Sequence, residues 1–72
     1  MKFEEMQVVA NNVRITQEED ILFIAVDLSR TLGLSKSGKM MGIGNTGGFQ
    51  AIPVDNPRRK VTKLNLYLGE VG

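Results

Sequence analysis

The longest uninterrupted apolar run in this chain is six residues, Ile21-Leu22-Phe23-Ile24-Ala25-Val26. The chain must therefore build itself from short elements. A membrane-spanning helix needs about 20 consecutive apolar residues, so no membrane partner is expected. On either side of the run the apolar residues recur at every second position, as in Val13-Arg14-Ile15-Thr16 and again around Leu64, Leu66 and Leu68. A period of two is the signature of half-buried strands.

Read along the chain, residues 6–10 are apolar enough for a strand. Asn11-Asn12 marks a turn, because asparagine tolerates the left-handed backbone region. A strand follows at Val13-Arg14-Ile15-Thr16, then a polar turn at Gln17-Glu18-Glu19-Asp20. The run Ile21–Val26 is apolar on both faces and is expected to be the most buried strand. Asp27 is a helix-capping residue, Leu28 and Leu32 share one helical face, and Gly33 suits a helix C-terminus. That spacing predicts a short helix over 27–33. Residues 34–39 read as a polar loop and residues 39–45 as a weak strand. Thr46-Gly47-Gly48 reads as a hairpin turn leading to a partner strand at 49–54, with Pro53 marking an edge. Residues 55–59 are a loop. In the last segment, 60–68, Leu64, Leu66 and Leu68 face one way, and Lys63, Asn65 and Tyr67 the other. The expected fold is mainly β (small α+β): a compact antiparallel sheet or small barrel of five to six short strands with one short helix, in a single domain.

A chain of 72 residues buries only about 60% of the surface that its unfolded form exposes. It has no cysteine for a disulfide and no histidine, so the usual covalent and zinc staples are missing. Oligomerisation is the remaining staple for so small a core, and a homodimer or higher assembly is expected. Freedom from cysteine agrees with a reducing compartment. Glu4 and Glu5 stand where a signal peptide would carry its apolar core. Cytoplasmic and soluble is the expectation.

The sharpest string is Gly33-Leu34-Ser35-Lys36-Ser37-Gly38-Lys39-Met40. It fits the phosphate-cradling GxxxxGK pattern up to its last position, where Met40 replaces the Ser or Thr that binds magnesium. The motif also needs a strand before it and a helix after it, and the sequence offers neither. A donor-rich loop able to hold a phosphate of some kind is the reading that survives. Gly42, Gly44 and Gly47 fit GxGxxG, but here they read as a glycine-rich hairpin that lets another backbone approach closely. The paired carboxylates, Glu4-Glu5 and Glu18-Glu19-Asp20, look like exposed terminus and turn. No enzyme, metal or cofactor is expected.

The net charge of +1 hides an asymmetry. Residues 1–29 set Lys2 and Arg14 against Glu4, Glu5, Glu18, Glu19, Asp20 and Asp27, a balance of −4. Residues 30–72 set Arg30, Lys36, Lys39, Arg58, Arg59, Lys60 and Lys63 against Asp55 and Glu70, a balance of +5. A basic half points to a polyanion such as DNA or RNA. The candidate contacts are Arg58, Arg59, Lys60 and Lys63, aided by Lys36 and Lys39, with Tyr67 as a base-stacking platform. The expectation is a small homo-oligomeric nucleic-acid-binding or regulatory protein using its basic C-terminal half. The alternative is a protein–protein interaction or assembly module without nucleic-acid binding, in which the charge dipole serves contacts between copies.

One segment carries a resemblance. Ile24-Ala25-Val26-Asp27-Leu28-Ser29-Arg30-Thr31-Leu32-Gly33-Leu34 resembles the strand–helix–Gly segment of AbrB/MazE-type swapped-hairpin transcription factors. The likeness implies an intertwined dimer that binds DNA through basic residues of its N-terminal hairpins, with Arg14 near one such position. The turn that is basic in that family is Glu18-Glu19-Asp20 here, and Ala25 stands in place of its proline. The same stretch is similar to small prokaryotic proteins with an LS…G.SKSGK core, a likeness that implies no activity.

Overall fold

Asn12 and Glu19 both take positive φ, 57° and 53°, and these two tight turns fold the first third of the chain into a meander. The structure, a computed structural model, describes residues 2–60 and 62–71. Strands β1 (Gln7–Ala10), β2 (Val13–Glu18) and β3 (Ile21–Val26) pair antiparallel in the order β1-β2-β3. The β2–β3 ladder is unbroken, from Val13 opposite Val26 to Glu18 opposite Ile21. The central strand supplies the innermost side chains, with Val13 at 0% and Ile15 at 3% exposure. A 3-10 turn, Phe3–Glu5, leads into β1. Arg14 holds this turn, donating from Nη1 to the Phe3 and Glu4 carbonyls at 3.2 Å each, with its guanidinium 4.6 Å from the Phe3 ring centre.

The rest of the chain forms two further antiparallel sheets. Strands β4 (Gly33–Leu34), β5 (Met40–Asn45) and β8 (Tyr67–Val71) pair in the order β4-β5-β8, and β6 (Gln50–Ile52) pairs with β7 (Thr62–Leu64). The first two sheets are joined at the Asn11-Asn12 turn. The Asn45 amide donates to the Asn11 carbonyl at 3.1 Å. The Asn12 side-chain amide donates to the Asp27 and Ile43 carbonyls at 2.9 and 2.8 Å. Gly44 is required at this junction: a Cβ there would lie 2.8 Å from Val26 Cγ1 and 3.2 Å from the Asn12 carbonyl oxygen.

The protein is mainly β, as the alternation predicts, with eight short strands among the described residues in place of five to six. Four local expectations need correction. First, there is no helix at 27–33. Asp27 Oδ1 accepts from the Ser29 amide and hydroxyl at 2.9 and 2.6 Å, and Asp27 Oδ2 pairs with Arg30 at 3.4 Å. Such bonds hold Asp27 in a local turn rather than a helix cap. A two-turn helix is too short to sustain itself, and its would-be apolar face, Leu28 and Leu32, has no surface to cover and stays 75% and 42% exposed. The Leu32 amide instead joins the Gly42 carbonyl at 2.8 Å.

Second, Thr46-Gly47-Gly48 turns the chain, but the strands it joins do not pair with each other. Thr46 is clamped to Leu66: the Thr46 amide donates to the Leu66 carbonyl at 3.0 Å, and the Leu66 amide to Thr46 Oγ1 at 2.8 Å. That clamp sets β8 beside β5 and leaves β6 to β7. Third, β3 is an edge strand rather than the most buried one, with Ile21, Phe23 and Ile24 at 59%, 37% and 42% exposure. Fourth, the single last strand is two, broken at Asn65 and Leu66. Val61, within that predicted segment, lies outside the described residues.

Among the described residues the buried apolar side chains are Met6, Val13, Ile15 and Ile52. The molecule measures 42 × 24 × 15 Å, and its radius of gyration is 13.4 Å. A compact domain of this length has a radius of about 11 Å. Three small sheets of two or three strands each share few buried side chains, and the core is thin.

Candidate functional site

Two clefts collect three of the six basic residues singled out from the sequence, Arg58 and Arg59 in one and Lys36 in the other. The first follows from the loop between β6 and β7. Asn56 folds that loop on itself: its Oδ1 accepts from the Arg58 amide at 2.8 Å, and its carbonyl accepts from the Arg59 amide at 3.1 Å. The loop is stitched to the β2–β3 hairpin. Gln17 donates to the Asp55 carbonyl at 2.7 Å and accepts from the Asp55 amide at 2.9 Å, while Asn56 Nδ2 donates to Asp20 Oδ1 at 2.8 Å. These bonds shape an open cleft of about 590 Å³ lined by Arg58, Arg59, Asp20, Gln17, Leu22 and Pro57 among others. Asp20 brings a carboxylate into this otherwise basic cleft.

The second cleft, of about 400 Å³, lies against the β4–β5–β8 sheet and is lined by Leu32, Leu34, Lys36, Asn65 and Tyr67 with several glycines. Tyr67 is 50% exposed and directs its hydroxyl toward Gly42, whose Cβ position lies 3.6 Å from it. The structure thus brings Lys36, Asn65 and Tyr67 together, and separately Arg58 with Arg59. Lys39, Lys60 and Lys63 line neither cleft and are exposed. Lys63 sits on β7 opposite Ala51. Among the described residues, Arg30 with Asp27 forms the one side-chain ion pair, so the six candidate cations carry none.

The GxxxxGK string forms the β4–β5 hairpin. The Ser35 amide donates to the Met40 carbonyl, and the Gly38 amide to the Ser35 carbonyl, both at 2.8 Å. Ser35 Oγ takes the Met40 amide at 3.3 Å and lies 3.3 Å from Ser37 Oγ. These amides close the turn and are not presented to a phosphate. Arg14, the residue placed near DNA by the family resemblance, is engaged with Phe3 and Glu4.

The titration of Asp27 is displaced. The Ser29 hydroxyl and amide hold its carboxyl below the ordinary value of 3.8, with a smaller contribution from the Arg30 charge. This is the chemistry of a turn, and Asp27 lies outside both basic clefts. Among the described residues no three carboxylates, histidines or cysteines converge as a metal site would need, and no helix is long and apolar enough to cross a membrane.

The feature that sequence reasoning missed is apolar. Val8, Ile21, Leu28, Leu34, Phe49 and Val71 are each 59% to 76% exposed. Charge counting could not find them; for Ile21 the signal available was the absence of any charge from residues 21–26. Comparison of the chain with family models, with curated proteins and with solved structures gives no match.

Proposed function

We propose that this chain is a non-catalytic interaction module that works as an assembly of its own copies. The observation that carries this reading is surface area. The chain exposes 5511 Å², whereas a compact monomer of 7.9 kDa exposes about 4,400 Å². The excess, roughly 1,100 Å², exceeds the ~800 Å² per partner of a standard stable interface. Among the described residues, large exposed apolar side chains outnumber buried ones, and covering them is the gain that association offers. A cytoplasmic location belongs to this reading, and freedom from cysteine agrees with a reducing compartment. Light scattering over a range of concentrations tests it: an assembly is expected at micromolar protein, and a monomer at every concentration contradicts it.

A second reading, nucleic-acid binding, is favoured by one observation: Lys36, Asn65 and a half-exposed Tyr67 line the same cleft. A lysine beside an exposed ring suits a single-stranded base and its phosphate. Fluorescence anisotropy at low salt with a labelled single-stranded oligonucleotide is the test. Tyr67→Ala should weaken binding by about 1–3 kcal/mol. Replacing Arg58 and Arg59 together by Glu should flatten the salt slope by about two units if both meet phosphates. No binding of the unaltered chain at tens of micromolar removes this reading and leaves assembly alone.

A further inference from the structure

The assembly reading leaves open which surface meets which, and the strand edges decide it. Unpaired edges are templates for pairing, and natural proteins blunt them with charge, proline, bulges or brevity. Most edges of this molecule are blunted. β1 carries a bulge between Val8 and Ala10. β4 has two residues. β6 has three and runs into Pro53, and β7 has three, including Lys63. β8 contains Gly69 and Glu70. The exception is β3: six residues with no charge, glycine or proline, paired among the described residues only with β2.

We propose that β3 of one copy pairs antiparallel with β3 of a second copy, about a two-fold axis through Ile24, joining the two β1-β2-β3 sheets into one. This inference rests on the assembly reading above and names its partner and its edge. The backbone fixes the register. Glu18 and Ile21 close a two-residue hairpin and so form a hydrogen-bonded pair. Alternation then directs the amides of Ile21, Phe23 and Ala25 to β2, and those of Leu22, Ile24 and Val26 to the open edge. A two-fold axis perpendicular to the sheet can set Ile24 against Ile24 of the second copy, with Leu22 against Val26 on either side. About six main-chain hydrogen bonds result.

The same axis keeps every side chain on its own face. Ile24, 42% exposed, then extends the apolar surface that Val13 and Ile15 begin, since Ile15 faces Ile24 across the β2–β3 ladder. An open cleft of about 550 Å³ runs beside β3, lined by Phe3, Met6, Phe23, Ile24 and Leu28 among others. A second copy seated on the edge has this cleft to fill. The surplus surface of the whole chain, roughly 1,100 Å², sets the upper bound on what this contact covers, and it exceeds the ~800 Å² per partner of a standard interface.

The full chain offers a direct test because it contains no cysteine. Across a hydrogen-bonded antiparallel pair the Cα atoms stand about 5.5 Å apart, inside the range a disulfide bridges. Ile24→Cys should therefore cross-link to a covalent dimer under mild oxidation, while Val71→Cys, on the β8 edge, should not. In sedimentation runs Ile24→Lys should raise the dissociation constant by on the order of a hundredfold or more, since it sets two like charges against each other at the axis. If Ile24→Lys fails to fold, the cross-link decides. A dimer that survives Ile24→Lys with its fold intact, or equal cross-linking of both cysteine variants, overturns the β3 edge while leaving assembly standing. An unaltered chain that stays monomeric overturns both.

Discussion

The β2–β3 hairpin and the β5–β8 pair are built on opposite logics. In the hairpin, six consecutive residues face six others across a two-residue turn without a slip, and side-chain alternation does the specifying. In β5–β8 the partners lie far apart in sequence, the register shifts between Gly42 and Gly44, and the pair depends on side chains that are missing. A Cβ on Gly44 would meet Val26 Cγ1 at 2.8 Å, and one on Gly69 would meet Tyr67 Cε1 at 2.8 Å. The lesson is that one region is specified by what its residues carry and the other by what they lack.

The largest effect should come from the first region. Ile15→Ala removes a side chain that is 3% exposed and should cost on the order of 2–5 kcal/mol, read as a fall in the chemical-denaturation midpoint. A change under 1 kcal/mol would mean that the first sheet is not the stable half.

Gly44→Ala comes next. It adds one methyl against a β-branched side chain and a backbone carbonyl, and overpacking of this kind costs about 1–3 kcal/mol. Gly69→Ala meets Tyr67 and the end of Met40 at Cβ distances of 2.8 and 3.0 Å, and side chains of this length can move aside, so its cost should be smaller. If the order of the two glycine variants reverses in thermal denaturation, the junction at Gly44 is looser than its contacts imply.

Phe23→Ala separates the two views of β3. As the centre of a buried strand it would cost about 3–5 kcal/mol. With Phe23 37% exposed on an edge, partial burial gives about 1–2 kcal/mol for the single chain. A loss that is small in dilute protein and grows with concentration would show that the ring is covered by a second copy.

The smallest effect belongs to Asp27. Its folded-state carboxyl titrates below the ordinary 3.8, so whatever the turn gains from the ionised group is present above that value. It is lost as pH falls through the lowered one. An NMR titration should place the Asp27 midpoint below 3.8, and Ser29→Ala should return it toward that value. A midpoint unmoved by Ser29→Ala would break the account of why residues 27–30 turn instead of forming a helix.

The strand sequence of the first sheet was legible because its determinants are local, whereas the exposure of β3 was not. The Asn11-Asn12 turn, the alternation in β2 and the polar turn at Gln17-Glu18-Glu19-Asp20 each declare themselves within a few residues, although Gln17 and Glu18 belong to β2 and only Glu19 and Asp20 turn. The second half was not legible, because its pairings are chosen at a distance. Thr46 meets Leu66 through hydrogen bonds between residues 20 positions apart, and no local pattern announces that clamp. The leucine alternation at 64, 66 and 68 reads as one strand, yet the clamp at Leu66 breaks it in two. The helix expected at 27–33 had the correct end residues, but Asp27 and Ser29 satisfied each other and the Leu32 amide found a sheet carbonyl. Counting charge picked out the basic residues, which are exposed and, among the described residues, without an ion-pair partner, but it gave them no place. Their division between two clefts, and the apolar edge beside them, depend on tertiary placement.

The central claim is that the exposed surface of this chain is covered by a second copy of itself. Sedimentation equilibrium of the full chain across the micromolar range tests it most directly. The account predicts a species of twice the 7.9 kDa chain mass, dissociating only on dilution or on Ile24→Lys. A single 7.9 kDa species, folded and unchanged at every concentration, would contradict it.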